Sequence, residues 1–382
     1  MNYPASKLPN LGLTIFSKMS ALAAQRGAIN LSQGFPDYQG PEALLDSVAQ
    51  QVAAGFNQYA PMHGMPQLRE LIAEKVKRLY GRELDAEREI CVTPGATEAL
   101  FSAISATVWA GDEVIIFDPA YDSYRPVVEL NGGVAVSIPL MPPSFAIDWS
   151  AVRTAITPRT RMIIINTPHN PTGQVWSAAD LDQLELAVKG TDILILADEV
   201  YEHLVFDGLQ HQSINLRSTL AERSFIVSSF GKTYHVTGWR VGYCVAPPAL
   251  MAELQKVHQY VTFNTHTPLQ CAIADFMQQQ PTYPATLPAF FEQKRDRLRD
   301  GLANSRFKLL NSSGTYFQLV DYSAISDLPD YEFVIWLLDA AGVAAIPLSP
   351  FYANGQQTQC VRLCFAKQNE TIDRALEGLC RV

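Results

Sequence analysis

The sequence has no long apolar run and no cluster of basic residues. No window of its 382 residues holds the ~18 or more uninterrupted apolar residues that a membrane-spanning helix needs. Residues 1–7 lack the apolar core of a secretory signal. Only 18% of the residues are charged, the formal net charge is −9, and the lysines and arginines are scattered. We therefore expect a cytoplasmic protein with neither nucleic-acid nor membrane partners.

Cysteine is also scarce, with six in the chain and none in a Cys-x-x-Cys pair. Most of them stand among apolar neighbours, which predicts buried thiols. Cys360 and Cys364 are close enough in sequence to suggest a ligand pair, but residues 361–365 have the pattern of a strand. Because no cluster of histidine or cysteine completes such a site, we expect no metal.

What the chain does have is a series of short apolar runs that alternate with helical stretches. Nearly continuous apolar runs are typical of strands buried on both faces, and segments 97–108 and 178–189 between them are long enough for helices. This pattern predicts an α/β fold with a mainly parallel central sheet and helices on both faces. The predicted strands are 90–93, 113–117, 162–165, 193–196, 224–227 and 240–245.

The last third of the chain has a different pattern, which predicts a small α+β domain over residues 286–382 beside a large domain over 41–285. Residues 1–40 have too few periodic apolar positions to fold alone. We expect them to form an arm that packs on the small domain. The predicted elements of the last third are a helix at 281–305, a strand at 315–321, a helix at 331–341, and strands at 343–347 and 360–366.

Chemically unusual residues follow five of the predicted strands, at the edge where ligands bind in parallel sheets. Lys232 follows the fifth, with Ser229 three residues before it and Arg240 eight after it. A lysine amine can form a Schiff base with the aldehyde of pyridoxal phosphate, while serine and arginine hold the phosphate. Taken alone, the motif is equally compatible with a solvated lysine in a turn. The five segments are 94–98, 118–121, 166–173, 198–201 and 228–232.

Two further segments favour the same cofactor. Gly95, Ala96 and Thr97 open a predicted helix, whose free N–H groups suit a phosphate; a glycine turn with an N-cap threonine is the alternative. Asp198 ends an apolar strand, where its carboxylate needs a partner such as a protonated pyridine nitrogen. An ATPase-like metal site is the alternative for Asp198, but no phosphate-binding Gly-x-x-x-x-Gly-Lys motif accompanies it.

The same strand ends also offer side chains for the cofactor ring, and a later predicted strand offers one for a substrate. Tyr201 and Asn170 can donate hydrogen bonds to the ring hydroxyl, and Tyr121 can cover a ring face. Either aromatic residue alone could equally belong to the core. Arg362 interrupts an apolar strand, where a guanidinium needs a carboxylate, either that of an amino acid substrate or that of a structural ion pair.

Taken together, these residues resemble the class I/II aminotransferases of pyridoxal phosphate fold type I over nearly the whole chain. The resemblance implies that Lys232 carries the cofactor and shuttles a proton between the substrate Cα and the cofactor, assisted by Asp198 and Tyr201. It also implies that Tyr59 reaches the cofactor phosphate from the second subunit of a homodimer. The matching strings are NLSQGFPD (30–37), NQY (57–59), GATEA (95–99), NPTG (170–173), DEVY (198–201), SFGK (229–232) and Arg362.

The resemblance further implies a substrate site. Arg362, with Asn170 and the backbone of Gly34, is expected to bind the substrate carboxylate, and no second arginine is evident for a dicarboxylate. Segments 117–124 and 361–367 resemble most the branch with bacterial methionine aminotransferases and the kynurenine or glutamine transaminases. We expect methionine to be preferred, with aromatic amino acids, leucine and glutamine also accepted. The expected side-chain pocket residues are Ile15, Phe16 and Tyr59.

Three alternatives stay open at this point. A kynurenine transaminase is one, although those enzymes have a tryptophan where this chain has Phe16. A cysteine-S-conjugate β-lyase on the same fold is the second, because the sequence motifs are shared. The third is a cofactor-sensing transcription regulator, which the acidic charge balance and the lack of a basic DNA-binding segment argue against.

Overall fold

The computed structural model describes residues 4–9 and 11–382, so residues 1–3 and 10 of the predicted arm lie outside the described residues. The strands are β1 (Ile29–Asn30), β2 (Ile90–Thr93), β3 (Glu113–Asp118), β4 (Val134–Pro139), β5 (Thr160–Asn166), β6 (Leu194–Asp198), β7 (Ser224–Ser229), β8 (Gly242–Val245), β9 (Lys308–Leu309), β10 (Phe317–Asp321), β11 (Val343–Ala344), β12 (Ile346–Pro347) and β13 (Cys360–Cys364). The helices are α1 (Ile15–Arg26), α2 (Glu42–Ala53), α3 (Pro66–Tyr80), α4 (Ala96–Thr107), α5 (Tyr124–Leu130), α6 (Trp149–Ala155), α7 (Ala178–Val188), α8 (Ser218–Ala221), α9 (Phe230–Thr233), α10 (Pro248–Val261), α11 (Thr267–Gln279), α12 (Leu287–Leu302), α13 (Asp330–Ala341) and α14 (Asn369–Leu379).

The larger sheet has seven strands in the order β2-β8-β7-β6-β5-β3-β4. Strand β8 runs antiparallel to both of its neighbours, β2 and β7, and the other adjacent pairs are parallel. Successive residues of the central strands enter two apolar cores, because side chains alternate across a strand. Ile163 and Ile165 pack into one core, and Met162 and Ile164 into the other. The prediction of an α/β fold with a mainly parallel sheet covered on both faces is confirmed.

Each predicted strand of the large sheet is present, β2 with the predicted bounds and the others with shifted bounds, and one strand was missed. The run predicted to start at Arg240 becomes a strand only at Gly242, because Arg240 has a left-handed backbone with φ 53°. Strand β4 escaped prediction because it lies at the sheet edge, where Val134 is exposed and the sequence lacks a continuous apolar run. The residues that follow the strands fix the site, so these shifts leave its position unchanged.

A smaller sheet, β12-β13-β10-β9, is antiparallel and lies in the last third of the chain. Strand β1 pairs with β11, which ties the N-terminal segment to this region. Helix α12 begins at Leu287, after a 3-10 turn at Tyr283–Thr286, rather than at the predicted 281. Pro281 and Pro284 lack the N–H groups that a regular helix would use there. The domain boundaries at 40 and 285 stay predictions.

The cysteines are buried with one exception. Cys380 is exposed, so the prediction of buried thiols is wrong for this residue. It stands at the C-terminal end of α14, where the chain leaves the packed face of an amphipathic helix. Within residues 4–9 and 11–382, no helix is long and apolar enough to cross a membrane.

Candidate active site

The carboxyl ends of β2, β3, β5, β6 and β7 meet at one edge of the large sheet, where they border a cavity of about 110 Å³. Parallel strands bring the residues after them to the same edge, which explains why segments far apart in sequence converge here. Nine of the predicted site residues line this cavity, and they are Ala96, Thr97, Tyr121, Asn170, Asp198, Tyr201, Ser229, Lys232 and Arg240.

Lys232 lies in the single turn α9, directly after β7. Its Nζ atom donates to the hydroxyl of Tyr316 at 2.9 Å and lies 3.4 Å from the carbonyl oxygen of Gly34. Burial lowers the pKa of the Lys232 amine from 10.5 to about 8. Roughly a tenth of the amine is therefore unprotonated at neutral pH, far more than for an ordinary lysine, and this fraction can act as a nucleophile or a base.

This lowered pKa gives a testable pH dependence. Covalent capture of pyridoxal phosphate by the cofactor-free protein should accelerate as pH rises, with a midpoint near 8, because only the unprotonated amine attacks an aldehyde. Stopped-flow absorbance across neutral and alkaline pH measures this rate, with a free lysine derivative as the control. A midpoint at the ordinary lysine value of 10.5 would contradict the burial of the amine.

Asp198 ends β6 as a buried carboxyl group. Its Oδ2 atom accepts from the hydroxyl of Tyr124 at 2.6 Å, and its Oδ1 atom from the N–H of Val200 at 3.3 Å. Burial raises the pKa of Asp198 to about 6. A cationic group beside Asp198 would lower this pKa again and stabilise the carboxylate, which is the condition that a protonated pyridine nitrogen meets. The alternative of a metal site gains no support, since no group of three or more metal-binding side chains occurs among the described residues.

An anion cradle lies at the N-terminus of α4. Gly95 has φ 77° and precedes the helix, while Nη2 of Arg240 lies 3.3 Å from Oγ1 of Thr97. A Cβ atom at Gly95 would stand 2.7 Å from Nη2 of Arg240, so any other residue here would displace the guanidinium, and the positive φ favours glycine as well. Gly95 occupies the N-cap position, so the alternative of Thr97 as an N-cap residue is wrong. The helix N–H groups, the guanidinium and the nearby Ser229 hydroxyl fit a phosphate.

Arg362 is buried on β13, with 1% of its surface exposed. Its Nη1 atom donates to Oδ1 of Asn170 at 2.7 Å, its Nη2 atom donates to the carbonyl of Ser32 at 3.0 Å, and Nε has no partner among the described residues. Burial lowers the pKa of the guanidinium. The guanidinium of Arg362 therefore has no carboxylate partner among the described residues. A substrate carboxylate explains such a buried cation better than the alternative of a structural ion pair.

The remaining predicted residues have different positions. The ring of Phe16 lies 5.2 Å from the guanidinium carbon of Arg362, whereas Ile15 packs in the apolar core and does not line the cavity. The carbonyl of Gly34 faces Lys232. Tyr59 is 83% exposed, and a single subunit does not bring it to the cavity.

Four residues of the site were missed. Tyr124 contacts Asp198, and Asn166 contacts Asn170. Ser32 contacts Arg362, and Tyr316 contacts Lys232. Asn166 had a usable signal, because it directly follows the predicted strand 162–165. Tyr316 had none, since it comes from the C-terminal third and reaches Lys232 only through packing of the small sheet.

Comparisons with known proteins agree with this geometry. The model of the family "Aminotransferase class I and II" matches residues 26–379. A methionine aminotransferase of Escherichia coli is 54% identical to the chain over 376 residues, which cover 98% of this chain and 97% of that protein. A probable N-succinyldiaminopimelate aminotransferase of Mycobacterium tuberculosis is 40% identical over 385 residues, with coverages of 98% and 97%.

Similarity to solved structures is equally extensive. The crystal structure of YbdL from Escherichia coli, for which a methionine aminotransferase function is identified, matches with a TM-score of 0.98 and 53% identity over 100% of both chains. Kynurenine–oxoglutarate transaminase 1 of mouse is also related, with 33% identity over 98% of this chain and 97% of that protein. The resemblance inferred from the sequence motifs is confirmed.

Proposed function

The chain belongs to the class I and II aminotransferases, which use pyridoxal phosphate, and we propose that it transfers the amino group of methionine and other uncharged amino acids to a 2-oxo acid. The observation that carries this proposal is the cavity itself. A partly buried lysine of lowered pKa, a buried carboxyl group and an anion cradle border it, and Asn170 connects it to the buried Arg362, whose Nε has no partner among the described residues.

The residues around the cavity are suited to hold the cofactor at two points. Thr97, Ser229 and Arg240 would bind its phosphate, and Asp198 its ring nitrogen. When bound, the cofactor supplies an aldehyde carbon for attachment and a ring that withdraws electrons from the substrate. Asn166 keeps Asn170 in place by accepting its backbone N–H at 2.8 Å. Asn170 is thereby fixed between the cavity and Arg362.

Lys232 would move the proton of the reaction. Its Nζ atom would take the proton from the substrate Cα and deliver it to the cofactor. Lys232 would thus act first as a base and then as an acid. The apolar and aromatic surroundings that lower its pKa also exclude water from this proton. Tyr201 lies beside the same nitrogen, with its ring centre 5.5 Å from Nζ.

The surroundings of Arg362 support an uncharged side chain on the substrate. Phe317 lies over the guanidinium carbon at 3.8 Å, and Phe16 and Phe351 lie farther out at 5.2 and 5.9 Å. Phe317 and Phe351 are buried, whereas Phe16 is partly exposed and offers apolar surface for a thioether, aliphatic or aromatic group. Besides the reactive Lys232, Arg240 is the only cationic side chain among the described residues that line the cavity, and the phosphate would occupy it. The named activity of the Escherichia coli relative favours methionine among these donors.

The test is a single-turnover absorbance scan of the cofactor-loaded protein with individual amino acids and no acceptor. We expect methionine, phenylalanine, leucine and glutamine to convert the cofactor to its amine form, and aspartate to react slowest. Fast reaction with aspartate would contradict the apolar pocket. Release of pyruvate from a cysteine conjugate without an acceptor, at a rate above amino transfer, would favour the β-lyase. N-succinyldiaminopimelate belongs in the panel because of the Mycobacterium tuberculosis relative.

We further propose that the protein acts as a cytoplasmic homodimer. Tyr59 and Phe263 form an exposed aromatic pair, with ring centres 5.5 Å apart, next to the exposed Phe56. A second subunit that covers this surface would bury the pair. In such a dimer, Tyr59 would contact the cofactor phosphate of the partner subunit, as the family resemblance implies.

A further inference from the structure

The hydroxyl of Tyr316 stands between the reactive lysine and the backbone of the N-terminal segment. Tyr316 has 1% of its surface exposed and immediately precedes β10 of the small sheet. Its hydroxyl donates to the carbonyl of Gly34 and lies 2.9 Å from Nζ of Lys232. Neither Tyr316 nor Gly34 belongs to the sequence motif around Lys232.

The direction of these hydrogen bonds follows from counting protons. A carbonyl oxygen can only accept, so the single proton of the Tyr316 hydroxyl is committed to Gly34, and the hydroxyl must accept from Lys232. An unprotonated amine has two N–H bonds and one lone pair. Tyr316 and the Gly34 carbonyl, at 2.9 and 3.4 Å from Nζ, take both N–H bonds. The lone pair is then left as the only free direction on the nitrogen.

The ring of Tyr316 is held as firmly as its hydroxyl. It lies nearly perpendicular to the rings of Tyr201 and Phe317, with centres 5.1 and 4.9 Å away, and it contacts Phe291 at 5.9 Å. A phenol fixed in this way can hold the lysine side chain in one conformation. Without such a contact, the flexible side chain would populate many rotamers.

We propose that Tyr316 is a positioning residue for Lys232, whose free amine it holds with the lone pair directed at the reacting carbon during proton transfer. This inference rests on the proposed amino transfer. The inference extends that proposal by giving a role to Tyr316, which immediately precedes a strand of the small sheet. The packing of the small sheet against the segment of Lys232 then completes the alignment of the base.

The test compares Tyr316→Phe with the wild-type holoenzyme. In single turnovers with methionine, we expect the rate of amino transfer to fall by roughly ten- to a hundredfold, the size of effect that misplacing a reacting group produces. The KM for methionine and the absorbance of the bound cofactor should change little. The deuterium isotope effect with α-deuterated methionine should increase, because proton transfer becomes slower relative to the other steps.

Tyr322→Phe is the matched control. Tyr322 is an equally buried tyrosine one residue beyond β10, and its hydroxyl donates to the carbonyl of Leu328 at 2.7 Å, away from the cavity. We expect this variant to transfer amino groups at the wild-type rate.

Two results would overturn the inference. One is a Tyr316→Phe enzyme with the wild-type rate and isotope effect. The other is a loss of activity that comes only from lost fold or lost cofactor, with an unchanged isotope effect, which would indicate a structural role. A wild-type protein that accepts no amino group from any donor would instead refute the proposed function, so the two failures are distinguishable.

Discussion

Replacing Lys232 with alanine is expected to abolish amino transfer, lowering the single-turnover rate with methionine by roughly 10⁴-fold or more. The variant loses both the covalent attachment point of the cofactor and the group that moves the proton. The phosphate cradle of Thr97 and Arg240 is untouched. The variant should therefore still bind pyridoxal phosphate, with the absorbance of the free aldehyde rather than of the lysine-bound form. Single-turnover kinetics and the absorbance spectrum check both expectations.

Lys75→Met is the control for this variant. Lys75 is a buried lysine that does not line the cavity and is paired with the buried Glu202. Removing it leaves the Glu202 carboxylate buried and unpaired, which costs about 3–5 kcal/mol of folding free energy. We expect lower thermal stability with cofactor attachment intact. Amino transfer by Lys232→Ala at the wild-type rate would contradict the assignment of Lys232. Loss of cofactor attachment in Lys75→Met would contradict it as well.

Replacing Arg362 with leucine is expected to give the second-largest loss. The guanidinium is buried, it is oriented by Asn170 and Ser32, and its unpartnered Nε is available to an incoming carboxylate. Truncating one member of such a charged pair costs about 2–5 kcal/mol, so kcat/KM for methionine should fall roughly thirty- to several-thousandfold. Arg362→Lys should lose less, because it keeps the charge but not the planar fork.

The specificity of the Arg362 effect is checked with a substrate that lacks the carboxylate. Wild-type enzyme should prefer methionine strongly over the corresponding amine, and Arg362→Leu should lose most of that preference. Arg299→Lys is the control, since among the described residues Arg299 donates only to Leu310 and Gln318, both in the last third of the chain. An unchanged preference in Arg362→Leu would show that another group binds the carboxylate.

The part of the site that the sequence predicted is the part built from strand ends. Lys232, Asp198 and Asn170 each follow or end an apolar run, and parallel strands must bring such positions together. Thr97 was found for a related reason, because a glycine turn followed by a helix identifies an anion site. In these cases a local pattern carries the whole signal.

The residues that the sequence did not predict depend on tertiary packing. Tyr316 and Ser32 reach the site from the small sheet and the N-terminal segment, where nothing in the local pattern indicates a contact with Lys232 or Arg362. The edge strand β4 and the exposed Cys380 escaped prediction for a related reason, since exposure at an edge or a helix end is decided by what packs nearby. The role of Tyr59 stays a prediction because it depends on a second subunit.

The most direct measurement of the central claim is the attachment point of the cofactor. Borohydride reduction of the cofactor-loaded protein, followed by proteolysis and peptide mass spectrometry, fixes the bound pyridoxal phosphate on the lysine that carries it. We predict the modification on the peptide that contains Lys232 and none on the peptide that contains Lys75. Modification of a different lysine, or of none, would contradict the account.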